Sequence, residues 1–154
     1  MAHFYVDSSA LVKRHIFETG SAWFHTLVAP TASNTVTTAH ISMVEVYSAL
    51  NRRMREASLD AADYARIIAD FDALCVTQYI LVELTAAVIE RAKSLLKLYP
   101  LRAYDAVHLA SALLANETLV TSGLPVLVFV SADHRLLIAA QAEGLATENP
   151  NVYP

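Results

Sequence analysis

The sequence predicts an α/β domain with a mainly parallel sheet and helices on both faces. Two observations carry this. Short β-rich runs alternate with amphipathic helical patterns along the chain. In addition, Val126-Leu127-Val128-Phe129-Val130 is apolar without alternation, the mark of a strand buried on both faces of a parallel sheet. A chain of 154 residues with 55% hydrophobic content fits one domain with a sizeable core. Residues 1–150 are expected to form that domain, with 151–154 as a C-terminal tail.

His3-Phe4-Tyr5-Val6 is the first strand candidate and ends abruptly at Asp7-Ser8-Ser9. Ser8 or Ser9 suits the N-cap of a helix over Ala10–Ile16. Ser21 is placed to cap a second helix through Trp23, Phe24, Leu27 and Val28, closed by Pro30. Residues 34–38 are polar but β-branched and read as a strand. Ser42-Met43-Val44-Glu45 has the form of a capping box opening a helix that ends in Arg52, Arg53 and Arg55. Asp60 caps the next helix, with Ile67, Ile68, Phe71 and Leu74 on one face. Val76–Val82 reads as an edge strand, and Thr85 starts a helix with Val88, Ile89, Ala92, Leu95 and Leu96 inward. After Pro100, Ala106, Leu109, Ala110, Leu113 and Leu114 mark another amphipathic helix. Beyond the apolar strand, Asp133 precedes a helix stopped by Gly144, and Leu145–Glu148 adds a last edge strand.

Composition removes several function classes. Only Gly20, Gly123 and Gly144 are present, so no phosphate-cradling glycine loop can be written. Cys75 is alone, which excludes a disulfide framework and points to the cytoplasm. No apolar run reaches the length of a membrane span, and no signal-peptide pattern is visible at the start. The six histidines lack metal-ligand spacing, which argues against a zinc site. The formal charge is −4, so the surface is not a generally basic, nucleic-acid-coating one. Setting aside Asp7, Glu45, Asp105 and Asp133 leaves a neutral balance, which is compatible with a polyanionic substrate.

Those four acids form the candidate site. Ligands of parallel α/β sheets bind beyond the carboxyl ends of the strands. Asp7 ends the first strand, Asp133 follows the apolar strand, and Glu45 lies in the first turn after the second strand. Asp105 sits at the border of a buried helix face, with Arg102 three residues before it as one available partner. Each has a structural reading as well: a cap for Asp7, a capping box for Glu45, a helix N-terminal acid for Asp133. A shared site explains all four together. Clustered carboxylates without a lysine need a counter-charge, and hard oxygen donors suit Mg²⁺ or Mn²⁺, one or two ions. The corresponding chemistry is metal-assisted hydrolysis of a phosphodiester. Ser8 and Ser131 are placed to hydrogen-bond the carboxylates or a metal-bound water.

The segments Tyr5-Val6-Asp7-Ser8-Ser9-Ala10-Leu11-Val12-Lys13, Ser42-Met43-Val44-Glu45-Val46, Leu101-Arg102-Ala103-Tyr104-Asp105-Ala106-Val107-His108-Leu109-Ala110 and Val130-Ser131-Ala132-Asp133 occur in this order. Together they resemble the PIN-domain family, and within it the VapC-type toxins of bacterial toxin–antitoxin pairs. The resemblance implies a PIN-like three-layer α/β/α sandwich and an endoribonuclease that cuts single-stranded regions of RNA, transfer RNA among them. It further implies a homodimer and a cognate antitoxin. Carried over, Asp7, Asp105 and Asp133 are metal ligands and Glu45 binds through water or positions it. Two departures stand out. Ser131 replaces the more usual Thr, and the 116–125 connection is longer than the family's, which bears on the geometry of the fourth acid.

Lys13 and Arg14, just after Asp7, are candidates for contacts to the RNA backbone, and Arg102 for contacts to substrate or antitoxin. Arg52, Arg53 and Arg55 read as dipole compensation at a helix end, with phosphate contact as the alternative. Two rival functions fit the sequence less well. A catalytically silent PIN-like RNA- or protein-binding module would be expected to have lost an acid. A phospho-acceptor receiver would want a lysine after its last strand, whereas the last lysine is Lys97.

Overall fold

Five strands form one sheet in a computed structural model that describes residues 1–154. They are β1 (His3–Val6), β2 (Thr35–Ala39), β3 (Tyr79–Val82), β4 (Leu127–Val130) and β5 (Ala146–Glu148). The order is β3-β2-β1-β4-β5 and every neighbouring pair is parallel, so the expected mainly parallel sheet is wholly so. Seven helices accompany it: α1 (Ser8–Leu11), α2 (Ser21–Val28), α3 (Ser42–Arg55), α4 (Ala61–Thr77), α5 (Ala86–Leu98), α6 (Ala103–Thr121) and α7 (His134–Ala142).

Strand alternation assigns each helix to a face. Tyr5 and Phe129 point into a core shared with α5, α6 and α7, whereas Val6 and Val130 point into one shared with α1 to α4. The result is a three-layer sandwich whose central strands are closed to water on both sides. Helix α6 is the keystone of the first core, because Ala106, Leu109, Ala110, Ala112 and Leu113 are all buried. Truncating Leu109 to alanine there would cost about 2–5 kcal/mol. No helix is long and apolar enough to cross a membrane.

Several local expectations are corrected. Residues Val76 and Thr77 are helical, because the Ile67, Phe71, Cys75 stripe of α4 carries the helix past them and confines β3 to four residues. The helix expected over Ala10–Ile16 starts at Ser8 and tightens after Leu11 into a 3₁₀ turn, with Asp7 as its N-cap. Gly20, at φ +87°, precedes α2 in place of a serine cap; any Cβ there would meet the Pro150 carbonyl oxygen at 2.3 Å. The long 116–125 connection largely vanishes: α6 continues to Thr121, and Asn116 accepts a hydrogen bond from the Leu127 amide at 2.8 Å. The C-terminal residues pack back, with the Tyr153 ring stacked on Trp23 at 4.7 Å.

Candidate active site

The order of the strands reverses between β1 and β4, and both run out at the same end of the sheet. Asp7 follows β1 directly, and Ser131 follows β4 directly. The Asp7 side chain is only 5% exposed and is fixed by three donors. Its Oδ1 accepts from Ser9 Oγ at 2.6 Å and the Ala10 amide at 3.1 Å. Its Oδ2 accepts from Ser131 Oγ at 2.5 Å. Ser131 Oγ in turn accepts from the Asp133 amide at 3.0 Å, and Ser9 Oγ from the Ala132 amide at 3.1 Å. Two hydroxyls thus stitch the end of β1 to the end of β4. Ser9, not Ser8, is the hydroxyl that supports Asp7. An N-cap carboxylate turns toward the first turn of its helix, which puts Ser9 within reach and leaves Ser8 to line the cleft outside.

Burial pushes the Asp7 carboxyl up from its ordinary value, against the pull of His108 and of its hydrogen bonds. Asp105, in the first turn of α6, is also raised, first by burial and then by the negative charges of Asp133 and Asp7. Asp105 accepts a long hydrogen bond, 3.4 Å, from the Arg102 amide, but the Arg102 guanidinium forms no ion pair with it. Asp133 is exposed and caps α7, its Oδ1 accepting from the Arg135 amide at 2.9 Å. Asp105 and Asp133 share a small recess of about 60 Å³ with Arg102 and Arg135.

Glu45 is held differently from the sequence expectation. Helix α3 begins at Ser42 itself, and Ser42 Oγ bonds Thr38 Oγ1 at 2.7 Å, so no capping box forms. Glu45 Oε1 instead meets His108 Nε2 at 2.5 Å. It looks out on two clefts, of about 620 and 540 Å³, which share Ser8, Glu45, Ala49 and Arg52.

The acids face one another without closing into a tight cage: no three His, Cys, Asp or Glu side chains converge on one point. A hard divalent ion that keeps most of its waters needs only one or two direct carboxylates. A buried Asp7 with no lysine or arginine in contact, and an Asp105 made costly to ionise by burial and by two neighbouring acids, fit such an ion.

A family model described as the PIN domain matches residues 4–124. The chain belongs to the PIN-domain family. It is 35% identical over 141 residues to Ribonuclease VapC45 of Mycobacterium tuberculosis, covering 91% of this chain and 90% of that one. Its fold is similar to the solved M. tuberculosis VapC20, a sarcin–ricin loop cleaving toxin, with a TM-score of 0.62, 19% identity and coverage of 98% and 99%. It is also similar to VapBC2 of Rickettsia felis bound to a promoter DNA fragment, with a TM-score of 0.60, 11% identity and coverage of 96% and 98%.

The basic residues of this PIN domain divide into two groups. Lys13 is 4% exposed, and its Nζ donates to Glu18 Oε1 at 3.0 Å and to the Thr19 carbonyl at 2.8 Å. Arg14 donates to Gln78 Oε1 and the Tyr79 hydroxyl, and lies over the Tyr79 ring. Both are held by partners within the fold, and Lys13 also lines the cleft of about 620 Å³ beside Glu45. Arg102 and Arg52 remain free beside the acids, and Arg53 is tied to Glu18 at 3.6 Å. Sequence reasoning missed His108 and Ser9. A histidine three residues after Asp105, on the inner face of the same helix, was the available signal for the first.

Proposed function

We propose that this domain is a Mg²⁺- or Mn²⁺-dependent endoribonuclease, acting as the toxin of a toxin–antitoxin pair. The observation that carries the reading is Asp7: a buried carboxylate fixed by two hydroxyls and an amide, met by no lysine or arginine, and close enough to Asp105 to raise its pKa. Asp7, Asp105 and Asp133 would hold one or two ions, with Glu45 acting through a water. When bound, the ion supplies a hydroxide at neutral pH and neutralises the charge that builds on the phosphate. Ser9 and Ser131 orient Asp7, so the carboxylate keeps one geometry as the counter-charge arrives. Arg52 and Arg102, on the walls beside Glu45, take phosphates of the RNA strand and set its register.

The substrate is RNA with an accessible single-stranded region, transfer RNA included. The named relatives support an antitoxin protein as partner, with Arg102 as a contact for its carboxylates. A homodimer in the cytoplasm completes the reading. Purified protein with Mn²⁺ is expected to cleave a single-stranded RNA and leave 5′-phosphate ends, and Asp105→Asn to abolish this. Expression of the wild-type chain alone is expected to arrest growth, and Asp105→Asn to relieve the arrest. Equal cleavage by both forms would remove Asp105 from the mechanism, and cleavage by neither would leave a silent binding module.

A further inference from the structure

His108 is 2% exposed, and both of its ring nitrogens are engaged by other elements. Nδ1 lies 2.9 Å from the Tyr5 hydroxyl on β1, and Nε2 lies 2.5 Å from Glu45 Oε1 on α3. The Tyr5 ring is fixed in turn, stacked on Phe129 with centroids 5.4 Å apart and standing edge-on to the imidazole. An ionised Glu45 can only accept, so Nε2 carries the proton on that side. Of the four acids, Glu45 is the one whose carboxylate receives no backbone amide or hydroxyl, so nothing else orients it.

We infer that His108 is the positioning residue of Glu45: the imidazole, braced by Tyr5, holds that carboxylate at the acid end of the sheet. The helix that carries Asp105 thereby also sets Glu45, three residues further along. The inference rests on the reading of the acid end given above. Partners that orient metal-site carboxylates in this way are worth about 10- to 100-fold in metal affinity or activity.

The test uses the shape of two amides. The glutamine Nε2 reaches the place of the histidine Nε2 and can still donate to Glu45. The asparagine Nδ2 reaches only the Nδ1 position, on the Tyr5 side. Both are polar and close in size, so their comparison survives a shared loss of stability. His108→Gln, His108→Asn, Glu45→Gln and the His108→Asn/Glu45→Gln double variant are titrated with Mn²⁺ by thermal shift, alongside RNA cleavage. His108→Asn is expected to raise the half-saturating Mn²⁺ concentration about 10-fold or more, and His108→Gln to stay within about threefold of wild type. In the Glu45→Gln background, His108→Asn should add nothing. A wild-type midpoint in His108→Asn, equal losses in Gln and Asn, or an undiminished loss in the double variant would overturn the inference. If Glu45→Gln alone leaves both midpoint and cleavage unchanged, the reading of Glu45 falls first and takes this one with it.

Discussion

Asp7 and Lys13 are two buried charges six residues apart, and the fold treats them in opposite ways. Lys13 is answered inside the molecule by the Glu18 carboxylate and the Thr19 carbonyl. Asp7 is answered by hydroxyls and one amide, with no lysine or arginine in contact. A buried charge that is paired is finished as structure. On the proposed reading, one that is oriented but left without a basic partner takes its counter-charge from a bound metal ion. Nearness to the acid end therefore does not decide function; the state of the charge does.

The largest effect should come from breaking the unneutralised side of this comparison. Asp7→Asn is expected to lower Mn²⁺-dependent RNA cleavage by about 10- to 100-fold or more. Without metal the same change should raise the melting temperature at pH 7. The folded pKa of Asp7 lies above its unfolded value, so its ionisation opposes folding as pH rises through that interval. The gain should shrink as pH falls toward the unfolded carboxylate value, and a lower melting temperature at pH 7 would contradict the account.

Lys13→Met breaks the satisfied side. It removes one partner of a pair whose other member, Glu18, is 37% exposed and can rehydrate. The expected loss is about 0.5–1.5 kcal/mol in denaturant unfolding, because Thr19 is exposed and its carbonyl can rehydrate too. Cleavage per folded molecule should change little, and a selective rise in KM would return Lys13 to the substrate path.

Arg52→Ala sharpens the comparison by testing a cation that the fold leaves free. RNA affinity should fall severalfold at low salt, and the slope of log K against log salt should flatten by about 0.7 per lost phosphate contact. An unchanged slope would mean the RNA strand does not pass Arg52.

The smallest effect concerns His15, two residues beyond Lys13. Its side chain is almost wholly buried, Nε2 has no partner, and Asp70 lies 3.4 Å from Nδ1. Burial lowers its pKa to about 4. Because the folded value lies below the unfolded one, stability should decline as pH falls from about 6.5 toward 4. His15→Phe should remove that decline in a melting-temperature series.

The positions of the candidate acids in the fold are legible in the sequence. Asp7 and Asp133 follow strands whose apolar runs are unambiguous, and parallel sheets gather ligands at that end. Asp105 was legible from its place on the edge of a buried helix face. Glu45 lies in the first turn after the second strand as the sequence indicates, but the capping box offered as its structural reading does not form. The capping box it suggested depends on where α3 begins, and a shift of one residue dissolves it. The strand over 76–78 failed because β-branched residues yield to a helix already anchored by Ile67, Phe71 and Cys75. The hydroxyl beside Asp7 was off by one for the same kind of reason: Ser8 and Ser9 are equivalent until the helix turn is fixed.

The sequence by itself determined the parallel α/β sandwich and the end of the sheet at which the acids meet, because both follow from periodicity within short windows. Tertiary structure alone decided how those acids are held. Ser131 reaches Asp7 across 124 residues, His108 reaches Glu45 across 63, and Tyr5 braces His108 across 103. Contacts of that range depend on how elements pack, and no local pattern encodes them. The same packing paired Lys13 and Arg14, left Arg52 and Arg102 open, and kept Asp7 buried with no lysine or arginine in contact.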